Sequence, residues 1–161
     1  MLENTSGEPH SLEQHQGKFV YLYFGYLRCD DICHNQVGVM FNLNNHTENE
    51  DLDFIFITMD PQRDSRQSLD DYINHLGRNF TALTGKNMKQ IQKVASRFNA
   101  PFFTDRATTG GQDYEIEHPG TLFLIDPEGR IQVVYQNKFL RYDKMIEDLN
   151  RLREQFSITQ P

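Results

Sequence analysis

Residues 18–46 read KFVYLYFGYLRCDDICHNQVGVMFNLNNH, and the order of chemistry within that stretch decides the fold. Lys18 to Tyr26 is a near-continuous run of β-branched and aromatic residues, which predicts a strand covered on both faces in a mainly parallel sheet. From Ile32 to about His46 the apolar side chains fall at Val37, Met40, Phe41 and Leu43, spacings of three and four, so a helix follows directly. Between strand and helix stand the chain's two cysteines, Cys29 and Cys33.

Working outward, residues 52–59 (LDFIFITM) predict a second buried strand. Asp60 and Pro61 then turn the chain, with Asp64 as N-cap and Gln67 as its capping-box partner for a helix to about Leu76. Phe80 to Leu83 is too short to assign. Met88, Ile91, Val94, Ala95 and Phe98 share one helical face, which predicts a helix over about 87–98, ended by Pro101. The polar segment 102–118, with Gly110 and Gly111, reads as a long loop or irregular hairpin. Residues 121–126 (TLFLID) and 130–135 (RIQVVY), joined through Pro127, Glu128 and Gly129, predict an antiparallel hairpin. Arg141 to about Phe156 forms the last helix, with Met145, Leu149 and Leu152 facing inward.

Strand, helix, strand demands a parallel pair with a right-handed crossover, and the hairpin adds antiparallel strands. The expected fold is therefore α/β, a mixed central sheet flanked by helices on both faces, in the layout of a thioredoxin-like domain. No repeat, low-complexity segment or internal linker interrupts the chain, so a single domain is expected over residues 1–161. Phe19, Tyr21, Tyr23, Phe54 and Phe56 are expected in its core.

The chain has 161 residues and a formal charge of −7, from 16 Lys and Arg against 23 Asp and Glu. An acidic balance with no basic cluster argues against nucleic acid or an anionic membrane as partner. Twelve Phe and seven Tyr supply enough apolar surface for a two-layer core. The longest apolar run, Phe19 to Leu27, is half of what a membrane-spanning helix needs, and no secretory leader precedes it. The chain as written is thus expected to be soluble. Its polar start after Met1 equally suits a domain whose anchor or leader was removed.

Two cysteines dropped at random into such a chain would stand four apart roughly once in eighty trials, so the spacing carries information. A local pair closes only a small loop and adds little stability, which points to chemistry instead. The pair lies beyond the end of a central strand, in the crevice where open α/β sheets bind ligands. A thiol at a helix N-terminus meets unpaired amides and the positive end of the helix dipole, both favouring thiolate. Arg28 pushes the same way, while Asp30 and Asp31 oppose it. Two thiolates need a third ligand to make a metal site, and among six histidines His118 stands out, in the loop entering TLFLID that abuts the cysteine turn in a thioredoxin-like sheet. Two thiolates and one imidazole suit copper, especially Cu(I); zinc is chemically allowed but generally wants a fourth ligand.

FGYLRCDDICH resembles the FGYTxCPDxCP segment of the Sco (SenC) copper proteins that take part in cytochrome c oxidase assembly. ITMDPQRDS resembles that family's TVDPxRDT, DYEIEHPGTLFLIDPEGRI its DYxVDHSxxxYLIDPxGxx, and GEPHSLEQHQGKFVYLYF its entry into the central strand. The resemblance covers about residues 7–155. It implies Cys29, Cys33 and His118 as metal ligands and copper as the metal, chiefly Cu(I) with Cu(II) as the alternative state. The partner it implies is the copper-bearing subunit of cytochrome c oxidase or another copper or thiol protein. It also implies a tether to the membrane through an N-terminal anchor, on the periplasmic face of a bacterial inner membrane or in the mitochondrial intermembrane space. Asp30 and His34 stand where the family has Pro, and Pro119 where it usually has Ser or Thr.

The main role expected is that of a metallochaperone. The alternative is a thiol-disulfide oxidoreductase in which Cys29 attacks a partner disulfide and Cys33 resolves it, or a peroxide-reducing thiol protein on the same fold. His34 follows a proposed ligand in helix sequence and points about 100° away from it. His10, His15, His46 and His75 are expected at the surface. Asp60, Pro61, Arg63 and Asp64 read as a structural turn and cap, and Asp113, Glu115 and Glu117 as a solvated loop face.

Overall fold

Side chains along a strand alternate between the two faces of its sheet. In the computed structural model, which describes residues 1–27, 32–100, 103–104, 116–117, 120–136 and 140–159 (backbone alone for 32–34, 103–104, 116–117 and 158–159), both faces of the central strand are covered. The strands are β1 (Leu2–Asn4), β2 (Pro9–His10), β3 (Phe19–Gly25), β4 (Leu52–Thr58), β5 (Phe80–Thr84), β6 (Phe103–Thr104), β7 (Ile116–Glu117), β8 (Leu122–Ile125) and β9 (Ile131–Tyr135). The helices are α1 (Ile32–His46), α2 (Arg66–Ile73), α3 (Met88–Arg97) and α4 (Tyr142–Thr159).

Seven strands form one sheet in the order β2-β1-β5-β4-β3-β8-β9. β3, β4 and β5 run parallel, with Phe19 opposite Leu52 and Gly25 opposite Thr58. β8 lies antiparallel to β3, and β9 to β8, so the predicted hairpin closes one edge. β6 and β7 pair antiparallel with each other, which agrees with an irregular hairpin in that region.

Odd-numbered residues of β3 face α4: the Phe19 ring meets Phe156 edge-on, and the buried Tyr21 hydroxyl donates to the Met145 carbonyl at 3.5 Å. Even-numbered residues face α3: Phe24 packs edge-on against Phe98, just past the helix, and against Phe123 of β8. The mixed sheet with helices on both faces stands as expected, and the five aromatics assigned to the core are all buried. Among the described residues no helix is long and apolar enough to cross a membrane.

Two features depart from the sequence reading. β1 and β2 form an unpredicted hairpin that adds to the edge of β5, turned where the Asn4 carboxamide oxygen accepts the amides of Ser6 and Glu8 at 2.9 and 3.0 Å. The cap of α2 is Ser65, whose hydroxyl accepts the Ser68 amide at 3.1 Å, and Asp64 is used elsewhere.

At the end of β3 the chain needs a residue without a side chain. A Cβ on Gly25 would stand 2.7 Å from the Tyr23 ring and 2.8 Å from the Phe56 ring, both fully buried. Gly25→Ala should therefore destabilise the fold by about 1–3 kcal/mol through overpacking. Urea denaturation measures this, and an unchanged midpoint would show that the rings yield freely.

Candidate metal centre

The residues that leave β3 are held from below by the turn after β4. The Gly25 carbonyl accepts the Met59 amide at 2.7 Å. The Leu27 amide donates to Asp64 Oδ2 at 3.1 Å, and the Thr58 hydroxyl donates to the same oxygen at 2.6 Å. This is why Asp64 does not cap α2: its carboxylate is buried and turned inward to two donors, leaving the cap to the next residue. Burial pushes the Asp64 pKa above its ordinary value; the Thr58 and Leu27 hydrogen bonds pull it back in part, the Asp60 charge adds to the rise, and the Arg63 charge opposes it.

Asp60 is fully buried and pairs with the Arg63 guanidinium, which lies 5.9 Å from the centroid of the Tyr26 ring. The Asp60 amide in turn donates to the Thr58 hydroxyl oxygen at 3.0 Å. The segment Asp60, Pro61, Arg63 and Asp64 is therefore structural, as expected, but it braces the segment entering the cysteine motif and does more than start a helix.

On the other side, α1 begins one residue before Cys33, so Cys33 occupies the first turn of a 15-residue helix, where backbone amides lack intrahelical partners. Gln36, one turn further on, is fully buried and donates from Nε2 to the Gly120 carbonyl at 2.6 Å. Gly120 has φ +69°, a left-handed conformation that suits glycine, and it stands two residues after His118. Cys29, Asp30, Asp31, His118, Pro119, Asp113 and Glu115 lie outside the described residues, and of Cys33, His34 and Glu117 the backbone alone is described. The structure thus brings together the segments that flank two of the predicted ligands, Gln36 with Gly120, and anchors Leu27, ahead of the third, on Asp64. Sequence reasoning missed Gln36, whose polar side chain broke no visible pattern on the helix.

The histidines divide. His46 and His75 are exposed, as expected. His15 is not: it is 8% exposed, its Nδ1 lies 2.7 Å from Asp53 Oδ2, and its Nε2 lies 2.8 Å from Nε2 of the partly buried His10. The surface assignment fails for His15 because a carboxylate 38 residues away supplies the partner that lets an imidazole be buried.

A thioredoxin-like sheet with a Cys-x-x-x-Cys motif running into the first helix defines a class of thiol and metal-handling domains. The comparisons narrow it. The SCO1/SenC family profile matches residues 1–154, and the chain belongs to that family. It is 31% identical over 164 residues to the mitochondrial protein SCO2 of Saccharomyces cerevisiae, covering 99% of this chain and 52% of that protein. The solution structure of apo Sco1 from Thermus thermophilus superposes with a TM-score of 0.82 at 28% identity, over 94% of this chain and 88% of the other. The crystal structure of yeast Sco1 with copper bound gives 0.74 at 28% identity, over 92% and 85%. The chain spans about half to two-thirds of the length of curated relatives that it matches.

The brace has a pH signature. Because the folded-state pKa of Asp64 is raised above 3.8, its contribution to stability is fully present below that pH and is lost as pH rises through the folded-state value. Relative to an Asp64→Asn variant, the parent chain should lose urea resistance as pH climbs out of the acid range. Parallel pH profiles for the two proteins would contradict that role.

Proposed function

We propose that this chain carries one copper ion between Cys29, Cys33 and His118 and passes it to a partner protein by ligand exchange. The recipient is the copper-bearing subunit of cytochrome c oxidase, or another copper or thiol protein. The observation that carries the reading is the Gln36–Gly120 hydrogen bond, because it ties the helix turn following Cys33 to the chain two residues beyond His118. Family membership and a solved yeast relative with copper bound support the metal. So does the donor set, since two thiolates and one imidazole match the soft-ligand preference and low coordination number of Cu(I). Copper here is cargo, and no turnover chemistry is required of the chain.

The brace of Asp64 and Thr58 supplies a rigid footing for one side of the site, and α1 supplies the other. Exchange of an ion between proteins calls for ligands that are held on both flanks yet reachable from outside, which a strand-to-helix turn at the rim of the sheet provides. The chain acts as a single domain of residues 1–161, presented on the periplasmic face of an inner membrane or in the mitochondrial intermembrane space by an N-terminal anchor. Yeast SCO2, a mitochondrial protein, supports that setting.

A second reading is thiol-disulfide exchange with the same cysteines. It is favoured by the place of Cys33 in the first turn of α1, where amides and the helix dipole stabilise thiolate. An imidazole in the loop before β8 is needed by the copper reading and by neither thiol mechanism.

Titration of the reduced protein against a Cu(I) chelator should show one equivalent bound per chain, and oxidation of the cysteine pair should abolish binding. Equal affinity after oxidation would remove the cysteines from the site. His118→Ala should weaken Cu(I) binding at least about tenfold while the cysteine pair stays oxidisable, and His34→Ala should change affinity little. The reverse pattern would mean that His34, standing where the family has Pro, has built a different site.

A further inference from the structure

Asp53, His15 and His10 form a chain of contacts that the copper site does not use. Asp53 is the second residue of β4 and pairs with Val20 of β3, whereas the cysteines follow Gly25 at the other end of the same strand. Five residues of strand, about 16 Å, separate the two places. Asp53 Oδ2 lies 2.7 Å from His15 Nδ1, and His15 Nε2 lies 2.8 Å from His10 Nε2. Lys18 approaches the other carboxylate oxygen at 3.6 Å.

We infer that His10 and His15 are the protein ligands of a second metal site, for a borderline divalent ion such as Zn²⁺ or Cu²⁺, with Asp53 fixing the orientation of His15.

A carboxylate accepts, so His15 donates from Nδ1 and presents the lone pair of Nε2 towards His10. With His15 donating to Asp53 from Nδ1, a neutral pair of rings has the His10 Nε2 proton in the hydrogen bond between them. A metal ion takes the place of that proton, which moves to Nδ1 of His10, so no net proton is lost when both rings start neutral. The ring centroids lie 5.0 Å apart, so the two Nε2 atoms point nearly at each other; an ion about 2.0–2.1 Å from both requires their 2.8 Å spacing to open by a few tenths of an ångström and the His10 ring to turn by a few tens of degrees. His10 can make that adjustment, because it sits on a two-residue edge strand and is only partly buried.

Burial, together with the neighbouring His15, lowers the His10 pKa, while the Asp53 charge works against that fall. His10, though not His15, also lines a cleft of about 400 Å³ together with Ser11, Arg97 and mostly apolar side chains. Arg97 is exposed, so solvent screens its charge. An ion held here would clip the β1–β2 hairpin to the body of the sheet, since His10 belongs to the hairpin and Asp53 to a central strand. The site stands whether or not the cysteines carry copper.

The test uses the full chain carrying Cys29→Ser and Cys33→Ser, which removes the soft ligands. Zn²⁺ titrated against a chromophoric chelator should bind at one site. His10→Ala or His15→Ala should weaken it at least about tenfold, and Asp53→Asn about 10–100-fold. His75→Ala, which alters an exposed cluster with Asp70 and Asp71, should leave binding unchanged. The Cu²⁺ form should show nitrogen hyperfine splitting from two imidazoles by electron paramagnetic resonance. Should His15→Ala fail to fold, His10→Ala at the partly exposed edge decides the matter alone. Absence of Zn²⁺ binding, binding indifferent to His10→Ala, or binding lost with His75→Ala would overturn the site.

Discussion

A single buried carboxylate oxygen, Oδ2 of Asp64, joins the two central parallel strands at the end that leads into the cysteine motif. It accepts from Leu27, which follows β3, and from Thr58, which ends β4. A carboxylate buried among apolar groups is costly unless its lone pairs are taken, and here two donors take one oxygen within the fold. Asp60 and Arg63 add a second buried pair beneath Tyr26. The result is that the chain enters the cysteine motif from a fixed point, and α1 leaves it towards another fixed point, the Gln36 contact with Gly120. Everything proposed for the site depends on those two anchors holding their ends still.

Much of this architecture is written in local pattern. β3, and β4 from Phe54 to Ile57, are apolar runs because both of their faces are covered, and α1, α3 and α4 announce themselves by spacings of three and four. Their bounds in the structure fall within a few residues of those read from the sequence. The β1–β2 hairpin was not legible: it is short, largely polar and contains Pro9, so nothing in its pattern outweighs a loop reading, and only pairing with β5 makes it a strand. Asp64 and Ser65 are both good capping residues in adjacent positions, and local rules cannot choose between them. Tertiary structure chooses, because the Leu27 amide needs an acceptor and Asp64 supplies it.

The proposed ligands stand out in the sequence in a different way: Cys29 and Cys33 by scarcity and spacing, and His118 by its place before a predicted strand. What holds the set is not visible there. Gln36 and Asp64 act through partners 84 and 37 residues away, and such contacts leave no periodic trace. His15 is the same case at the opposite end of the sheet, a polar residue in a short turn that is buried because Asp53 meets it. Asp30 and His34 replace family prolines in the cysteine motif.

The most direct measurement of the central claim is copper K-edge X-ray absorption on the reduced, Cu(I)-loaded protein. Coordination by Cys29, Cys33 and His118 gives a three-coordinate edge with two sulfur scatterers and one imidazole shell. A sphere of nitrogen and oxygen alone, or of sulfur with no imidazole, would contradict it.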